Sequence, residues 1–538
     1  MWRKASLLLI AIVLVASFAV AQEESFELTI MHTNDWHAAH QPQGSGNGGA
    51  SRLASVVNQV RAEGGTTMLI DAGDRFTGTL FHTQYKGQDE VQVMNLLAYD
   101  VMTLGNHEFD GHKTDPTILE NFVNGISFPV VTANVDFSAY PALDEKINAS
   151  IILERGGQQI GVIGLTTPDS TVTSTPAADV GFDVDLVGAV QAAVDELTAA
   201  GINKIILITH IGAPADMELI PQLSGVDIVL GGHSHTLYSN TYTGAADGYP
   251  VRLESASGEP VLYGQAGANG LYVGRLDVEF DAAGVITSSS GDTILLSRYI
   301  TPDAEMEALI NELAGPIEEL RATAIGATTD VELVGDRAVC RVEECNLGNV
   351  IADAMRAETG ADIAIMNGGG IRADVDAGEI TLGEVLTVQP FGNTIATVTL
   401  TGADVIAALE NGVSRLTVEN GVVIRGGANG RFPQVSGIRY TIDPTLEAGS
   451  RIVSVEVLGD DGTYTAIDPA ANYAVVTNNF VRQGGDGYSV ITENGVNPYD
   501  FGRVDYEVTR DYLVANSPIT TDVEGRITYV NATVEPRQ

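Results

Sequence analysis

From Phe26 to about Phe280 the chain alternates short β-branched runs with polar turns: ELTIMHTND, TMLIDAGD, DVMTLGN, PVVTAN, IGVIGLTT, IILITHIG and VDIVLGGHSH. Runs of this length, bounded by turn residues, predict strands. Between several of them lie stretches such as RLASVVNQVRAEG and LVGAVQAAVDELTAAG, whose apolar residues recur at helical spacing. Strands alternating with helices predict an α/β layered domain. Its polar residues collect at the C-terminal ends of successive strands, where open α/β sheets bind ligands.

Thr301 to Gly326 reads as a charged amphipathic helix that Pro316 should kink or split. We take it as a connector. Beyond it, LGNVIADAMRAETG predicts a helix and DIAIMNGGGIR a strand running into a glycine-rich turn. TVTLTGADVIAALENG predicts a strand and a helix, and NYAVVTNNFVRQGGDGY completes a second α/β unit. A chain of 538 residues exceeds one ordinary core, so two domains are expected. We place a leader at residues 1–21, the first domain at 26–300, a helical hinge at 301–328 and the second domain at 329–533.

Composition refines this picture. MWRK followed by ASLLLIAIVLVASFAV, with small residues up to Ala21, has the layout of a cleaved export signal. The expectation is an exported protein, periplasmic, cell-surface or secreted, without stable membrane insertion. Cys340 and Cys345 are the only cysteines, and in an oxidising compartment a close pair reads as a disulfide. The net charge of −42 opposes binding to nucleic-acid polymers. An anionic substrate would need local positive charge from metals or clustered arginines.

Metal-ligand residue types recur at the strand ends: Asp35 and His37, Asp74, Asn106, His210, and His233 and His235. Along an extended segment, side chains two apart point to the same side, so Asp35 and His37 would hold one ion and His233 and His235 would face one pocket. Carboxylate, imidazole and amide donors suit borderline ions, Zn²⁺ first and then Mn²⁺ or Co²⁺. The set exceeds one four-coordinate ion. Two ions sharing a carboxylate, ~3.5–4 Å apart as in two-metal hydrolytic sites, would use it fully. Glu108 reads as a solvated or capping carboxylate, and His40 and His82 as surface residues.

NDWH, GDRFTGT, GNHEFD, THIG and GGHSH, in this order, resemble the calcineurin-like metallophosphoesterase domain. CRVEECNLGNVIADAM, NGGGIR, PFGN and NFVRQGGDGY resemble the C-terminal domain of the 5'-nucleotidases and UDP-sugar hydrolases. The resemblance implies a two-domain α/β fold: a layered β-sandwich flanked by helices, a connecting helix, and an α/β substrate-binding domain. It implies hydrolysis of nucleoside 5'-monophosphates, with UDP-sugars and nucleoside di- or triphosphates as further substrates. The alternative is a 2',3'-cyclic-nucleotide 2'-phosphodiesterase/3'-nucleotidase, but those relatives typically read GNHEFN where this chain has Asp110.

Mapped by motif, one ion would use Asp35, His37, Asp74 and His235, and the other Asp74, Asn106, His210 and His233. His235 departs from relatives that carry Gln or Asn there. His107 would stabilise transition-state charge, with Asp110 as its orienter. In the second domain the resemblance makes Phe391 and Phe480 a sandwich for the base and Asp486 the acceptor for ribose hydroxyls. Arg341, Arg372, Asn367 and Arg337 become phosphate and ribose contacts, and Cys340–Cys345 a matching bridge beside Arg341. It also implies rotation of the second domain about the connecting helix.

Overall fold

The computed structural model describes residues 25–174, 176–425, 429–459, 461–500 and 502–537; the expected leader lies outside these residues. Two sheets stack in the first half of the chain. One has seven strands in the spatial order Ile286–Leu295, Tyr272–Phe280, Phe26–Thr33, Thr67–Asp71, Val101–Thr103, Val130–Val131, Ile147–Asn148. The other has six, in the order Val251–Glu254, Pro260–Gly264, Ile228–Leu230, Ile205–His210, Gln158–Thr166, Ser150–Arg155.

Side-chain alternation builds two cores on the faces of the first sheet. Leu28, Ile30, Met68, Ile70 and Val101 pack in one cluster with Val162, Leu207 and Val229 of the second sheet. Met31, Leu69 and Met102 join Val57, Met94 and Phe122 from the helices Ala50–Ala62, Gln88–Leu97 and Thr117–Gly125. Phe26–Thr33, Thr67–Asp71 and Val101–Thr103 run parallel, with Thr33 opposite Asp71 and Asp71 opposite Met102. Their C-terminal ends therefore emerge along one edge, as the polar pattern requires.

The connecting helix runs from Ala304 to Arg321, with the Asp303 carboxylate accepting from the N–H groups of Glu305 and Met306. Its buried Met306, Ile310, Leu313 and Ile317 enter the core of the first domain, where Leu382 of the second half joins them. The helix runs unbroken through Pro316, so the split, one of the two expected outcomes, is absent. The ring lies on the exposed side, and Leu313 and Ile317 are buried on the other face. Burying each of those side chains contributes about 1.5–3 kcal/mol, enough to offset the roughly 3 kcal/mol that proline costs a helix. The helix also ends before the expected Gly326, because Ala324–Thr329 forms a strand paired with Gly378–Thr381.

The second domain centres on a five-stranded sheet, in the order Pro433–Ser436, Ile363–Asn367, Asn472–Asn478, Ile395–Thr401, Val496–Tyr499. Ala364, Met366 and Val476 enter one core, and Ile363, Ile365 and Val475 the other. Cys340 and Cys345 form a disulfide. Among the described residues no helix is long and apolar enough to cross a membrane. Because the packing of Leu313 and Ile317 offsets the cost of Pro316, Pro316→Ala should raise the urea midpoint of the full chain, with a gain of up to about 3 kcal/mol; an unchanged or lower midpoint would show that the helix depends on the proline.

Candidate active site

The strand-end residues converge, but not along extended backbone. Asp35, His37, Asp74, His233 and His235 all have positive φ, between 48° and 75°. The expected two-residue alternation is therefore wrong in mechanism. The chain must turn back over the sheet edge immediately after each strand, and left-handed residues make that turn. Such residues cost of order 1–3 kcal/mol each and persist where the surroundings over-determine them. Close approach is part of the construction: a Cβ on Gly105 would collide with Asp74 Oδ1.

Three donor groups gather at this edge: Asp35, His37 and His235; His37, Asp74 and His107; Asp74, His210 and His233. The Nε2 atoms of His37 and His235 are 3.1 Å apart, and His235 Nε2 is 3.3 Å from Asp35 Oδ1. His210 Nε2 lies 3.0 Å from Asp74 Oδ2, and His233 Nδ1 is 2.8 Å from Asn106 Oδ1. His210 Nδ1 donates to the Ala72 carbonyl oxygen at 2.6 Å, and although burial opposes charge on this ring, the Asp74 carboxylate beside Nε2 outweighs it and pushes the imidazole up to about 9. Burial, and then the neighbouring His235, pushes His37 down to about 4; burial and His210 push His233 down to about 3. The neutral rings of His37 and His233, the close carboxylate oxygens of Asp35 and Asp74, and a His210 nitrogen already facing a carboxylate fit a pair of borderline divalent cations, which would take the place of the proton between His210 and Asp74.

Glu108 is buried, not solvated. Its Oε2 accepts from the N–H groups of Gly105 at 2.6 Å and Asp74 at 2.9 Å, and its Oε1 from those of Arg75 at 2.6 Å and Phe76 at 3.3 Å. Burial and Asp74 push this carboxyl up to about 7 against the backbone donors of Asp74 and Gly105. The four accepted N–H bonds leave neither oxygen free to carry a proton. Asp74 Oδ1 in turn accepts the His107 N–H at 2.8 Å, and Asn34 Nδ2 donates to Asp35 Oδ2 at 2.7 Å. Of the two readings of Glu108, solvated or capping, the second holds, and GNHE places it three residues after Gly105, at capping distance; the roles of Asn34 and the His107 N–H carried no sequence signal.

His107 Nδ1 donates to Asp110 Oδ2 at 2.7 Å. Asp110 also accepts from Thr77 Oγ1 and, at 2.6 Å, from Ser174 Oγ. Burial opposes charge on His107, but Asp110 and Asp74 outweigh it and push the imidazole up to about 10. The pair lines a cleft of about 620 Å³ whose opposite wall includes Arg503, Glu507 and Tyr499 of the second domain. His82, expected at the surface, is half-buried and lines this cleft.

A second cavity, of about 500 Å³, is lined by Arg341, Asn367, Arg372, Phe391, Phe480 and Asp486, among others. Phe391 and Phe480 are 56% and 45% exposed, so neither ring is core packing. Arg372 stands over the Phe391 ring, 5.4 Å from its centroid. Asn367 Nδ2 donates to Asp486 Oδ2 at 2.8 Å, and Asn478 Nδ2 holds Asn367 Oδ1 at 2.9 Å. Arg341 has its Nε buried without a partner, and burial followed by Arg337 and Arg372 lowers its pKa. Arg337 does not line the cavity but adds to its positive field. The glycines Gly368 and Gly369 are needed for backbone packing: a Cβ on Gly368 would collide with the Cys340 carbonyl oxygen, and one on Gly369 would meet the Gly430 Cα at 2.9 Å.

Residues 28–237 match the calcineurin-like phosphoesterase family, and residues 324–493 the 5'-nucleotidase C-terminal domain. The trifunctional nucleotide phosphoesterase protein YfkN of Bacillus subtilis (strain 168) is 39% identical over 93% of this chain, which spans only 35% of that protein's length. The 5'-nucleotidase of Bos taurus is 34% identical, with 94% of this chain and 91% of that one covered. Among solved structures, the 5'-nucleotidase precursor from Thermus thermophilus aligns with 40% identity and a TM-score of 0.59, over 95% of this chain and 100% of that one. These matches run through both domains and through every strand-end motif, and the chain belongs to the 5'-nucleotidase family of metallophosphoesterase-domain hydrolases.

Proposed function

We propose that this protein hydrolyses nucleoside 5'-monophosphates to nucleoside and phosphate, using two divalent ions, Zn²⁺ foremost, with Mn²⁺ or Co²⁺ as substitutes. One juxtaposition carries the reading. The turn bearing Phe391 sits against the loop that follows Asp74, where a Cβ on Gly392 would stand 3.9 Å from the Gly78 carbonyl oxygen. An aromatic and arginine-lined cavity thus lies beside the loop that follows a donor of the nitrogen and oxygen cluster, which supports a base at one end of the substrate and a phosphoester at the other.

Asp35, His37, Asp74 and His235 would hold one ion, and Asp74, Asn106, His210 and His233 the other. Bound ions of this kind supply Lewis-acid polarisation of the phosphate and lower the pKa of the attacking water. His107, kept charged by Asp110, donates to a phosphate oxygen as negative charge develops. Arg341 and Arg372 neutralise the anion with planar donors. Phe391 and Phe480 stack on the base, and the Asp486 oxygen not engaged by Asn367 accepts from the ribose.

The leader pattern and the disulfide support an exported location. Catalysis would be divided between residues 26–300 and 329–533, with the joint in 301–328. Because the connecting helix is embedded in the first domain through Met306, Ile310, Leu313 and Ile317, we place the movement after Arg321.

Chelation should abolish activity and Zn²⁺, Mn²⁺ or Co²⁺ restore it, with AMP turned over in preference to 3'-AMP, 2',3'-cyclic AMP and UDP-glucose in parallel assays. Turnover by metal-stripped protein would exclude the two-ion mechanism, and preference for the cyclic substrate would favour the phosphodiesterase reading. Phe480→Ala should raise KM for AMP about 5–150-fold, corresponding to a stacking loss of ~1–3 kcal/mol. Hydrolysis of a small aryl phosphate should stay within about twofold; equal losses on both substrates would assign the ring to structure.

The GNHE motif allows a sharper division. His107→Ala should lower kcat by about 10²–10³-fold with metal retained, as for loss of one transition-state donor. Asn106→Ala should instead lose metal, and Glu108→Gln should weaken metal binding because its amide cannot accept where the carboxylate does. Metal analysis beside kinetics checks all three, and metal loss confined to His107→Ala would reverse the assignment.

A further inference from the structure

The Trp of NDWH and the Arg of GDRF have no part in the ligand set, yet they touch. Arg75 is completely buried. Its Nε and Nη2 donate to Glu90 Oε2 at 2.8 and 2.5 Å, and its Nη1 to Asp71 Oδ2 at 3.2 Å. The guanidinium carbon lies 4.8 Å from the Trp36 ring centroid and 5.6 Å from that of Tyr99. Thr33 Oγ1 donates to the same Asp71 oxygen at 2.6 Å and sits 2.7 Å from Tyr99 Oη.

This network lies beneath both left-handed turns. Thr33 ends the strand that leads to Asp35, and Trp36 separates Asp35 from His37. Asp71 ends the strand that leads to Asp74, and Arg75 follows Asp74 directly. Glu90 belongs to the first turn of the helix Gln88–Leu97, so the guanidinium ties the turns to a packed element.

His40 extends the network. Against the expectation of a surface residue it is buried, with Nε2 3.0 Å from Asp89 Oδ2 and 3.3 Å from Glu90 Oε1. That spacing resembles a cation site, and Trp36 decides against one. Its indole N–H, which can only donate, points at His40 Nδ1 at 3.4 Å. The imidazole proton is therefore on Nε2, where it donates to Asp89, while Arg75 occupies Glu90 Oε2. The cluster is a hydrogen-bonded support.

We infer that Arg75, clamped by Glu90 and Asp71 and stacked on Trp36, is a positioning residue that holds the Asp35–His37 and Asp74 turns in their ligand-presenting conformation. The inference rests on the metal-ligand reading proposed above. Its physical basis is the strain in those turns: the positive-φ residues need surroundings that leave no alternative. A planar guanidinium bridging two carboxylates between aromatic faces provides a fixed geometry that a flexible ammonium cannot reproduce.

The test compares Arg75→Lys and Glu90→Gln with wild type, using the full protein. Zn²⁺ affinity is measured by competition with a chelating dye, kcat and KM for AMP at rising Zn²⁺, and the urea midpoint on the same preparations. Arg75→Lys should weaken Zn²⁺ binding by about 10–100-fold, the range seen when outer-shell partners of metal ligands are altered. Excess Zn²⁺ should restore kcat while KM for AMP stays unchanged. Folded Arg75→Lys with wild-type Zn²⁺ affinity overturns the proposal. Should that variant fail to fold, Glu90→Gln, which keeps the side-chain shape, is held to the same criterion. Wild-type protein that binds none of Zn²⁺, Mn²⁺ and Co²⁺ overturns the two-ion reading itself, whereas two ions in wild type with unaltered variants overturns only the role of Arg75.

Discussion

The carboxylate of Glu108 is the interaction on which the catalytic edge depends. Backbone N–H groups from the turn around Asp74 and from Gly105 end on its two oxygens. These groups have left their strands and have no ladder partner, and burying them unpaired would cost about 1–3 kcal/mol each. One acidic side chain thereby joins two loops from neighbouring strands. The Asp74 carboxylate completes the link by accepting the N–H of His107. The proposed bridging ligand and the proposed transition-state donor are thus set at fixed separation by backbone contacts, not by side-chain flexibility.

Electrostatics works at two scales. The chain carries a net charge of −42, which opposes every anionic partner at long range. Locally the sign changes. Burial strips the competing water from Arg341, with Arg337 and Arg372 near enough to depress its pKa further, and Asp110 favours a charged His107. Screening over a Debye length of about 8 Å at physiological salt confines the global repulsion to the surface, so a desolvated cationic cavity can select a small anion on an acidic protein.

The division into two domains separates the donor cluster from the aromatic cavity, and the connecting helix belongs structurally to the first of them. Its four buried apolar residues, Met306, Ile310, Leu313 and Ile317, anchor most of its length in that core. The strand Ala324–Thr329 begins the second domain's own pairing. The proposed hinge therefore falls after that helix and not within it.

The sequence by itself determined the strands, the helices and the identities of the strand-end residues, because hydrophobic period and turn chemistry are local properties. RLASVVNQVRAEG is helical and TMLIDAGD ends in Asp74 whatever surrounds them. It also singled out Asp35, His37, Asp74, Asn106, His210, His233 and His235 as a candidate ligand set. Only the tertiary structure decided how they converge: left-handed turns replaced the alternation expected along extended backbone, since the chain must fold back over an edge that neighbouring strands define. Likewise His40 looks like a surface residue in isolation, and nothing local decides between a solvated and a capping Glu108; both are buried because Asp89 and the backbone of the Asp74 turn come to them from elsewhere in the chain. Pro316 would break a free helix and does not break this one, because the packing of Leu313 and Ile317 is a property of the partner surface and not of the segment.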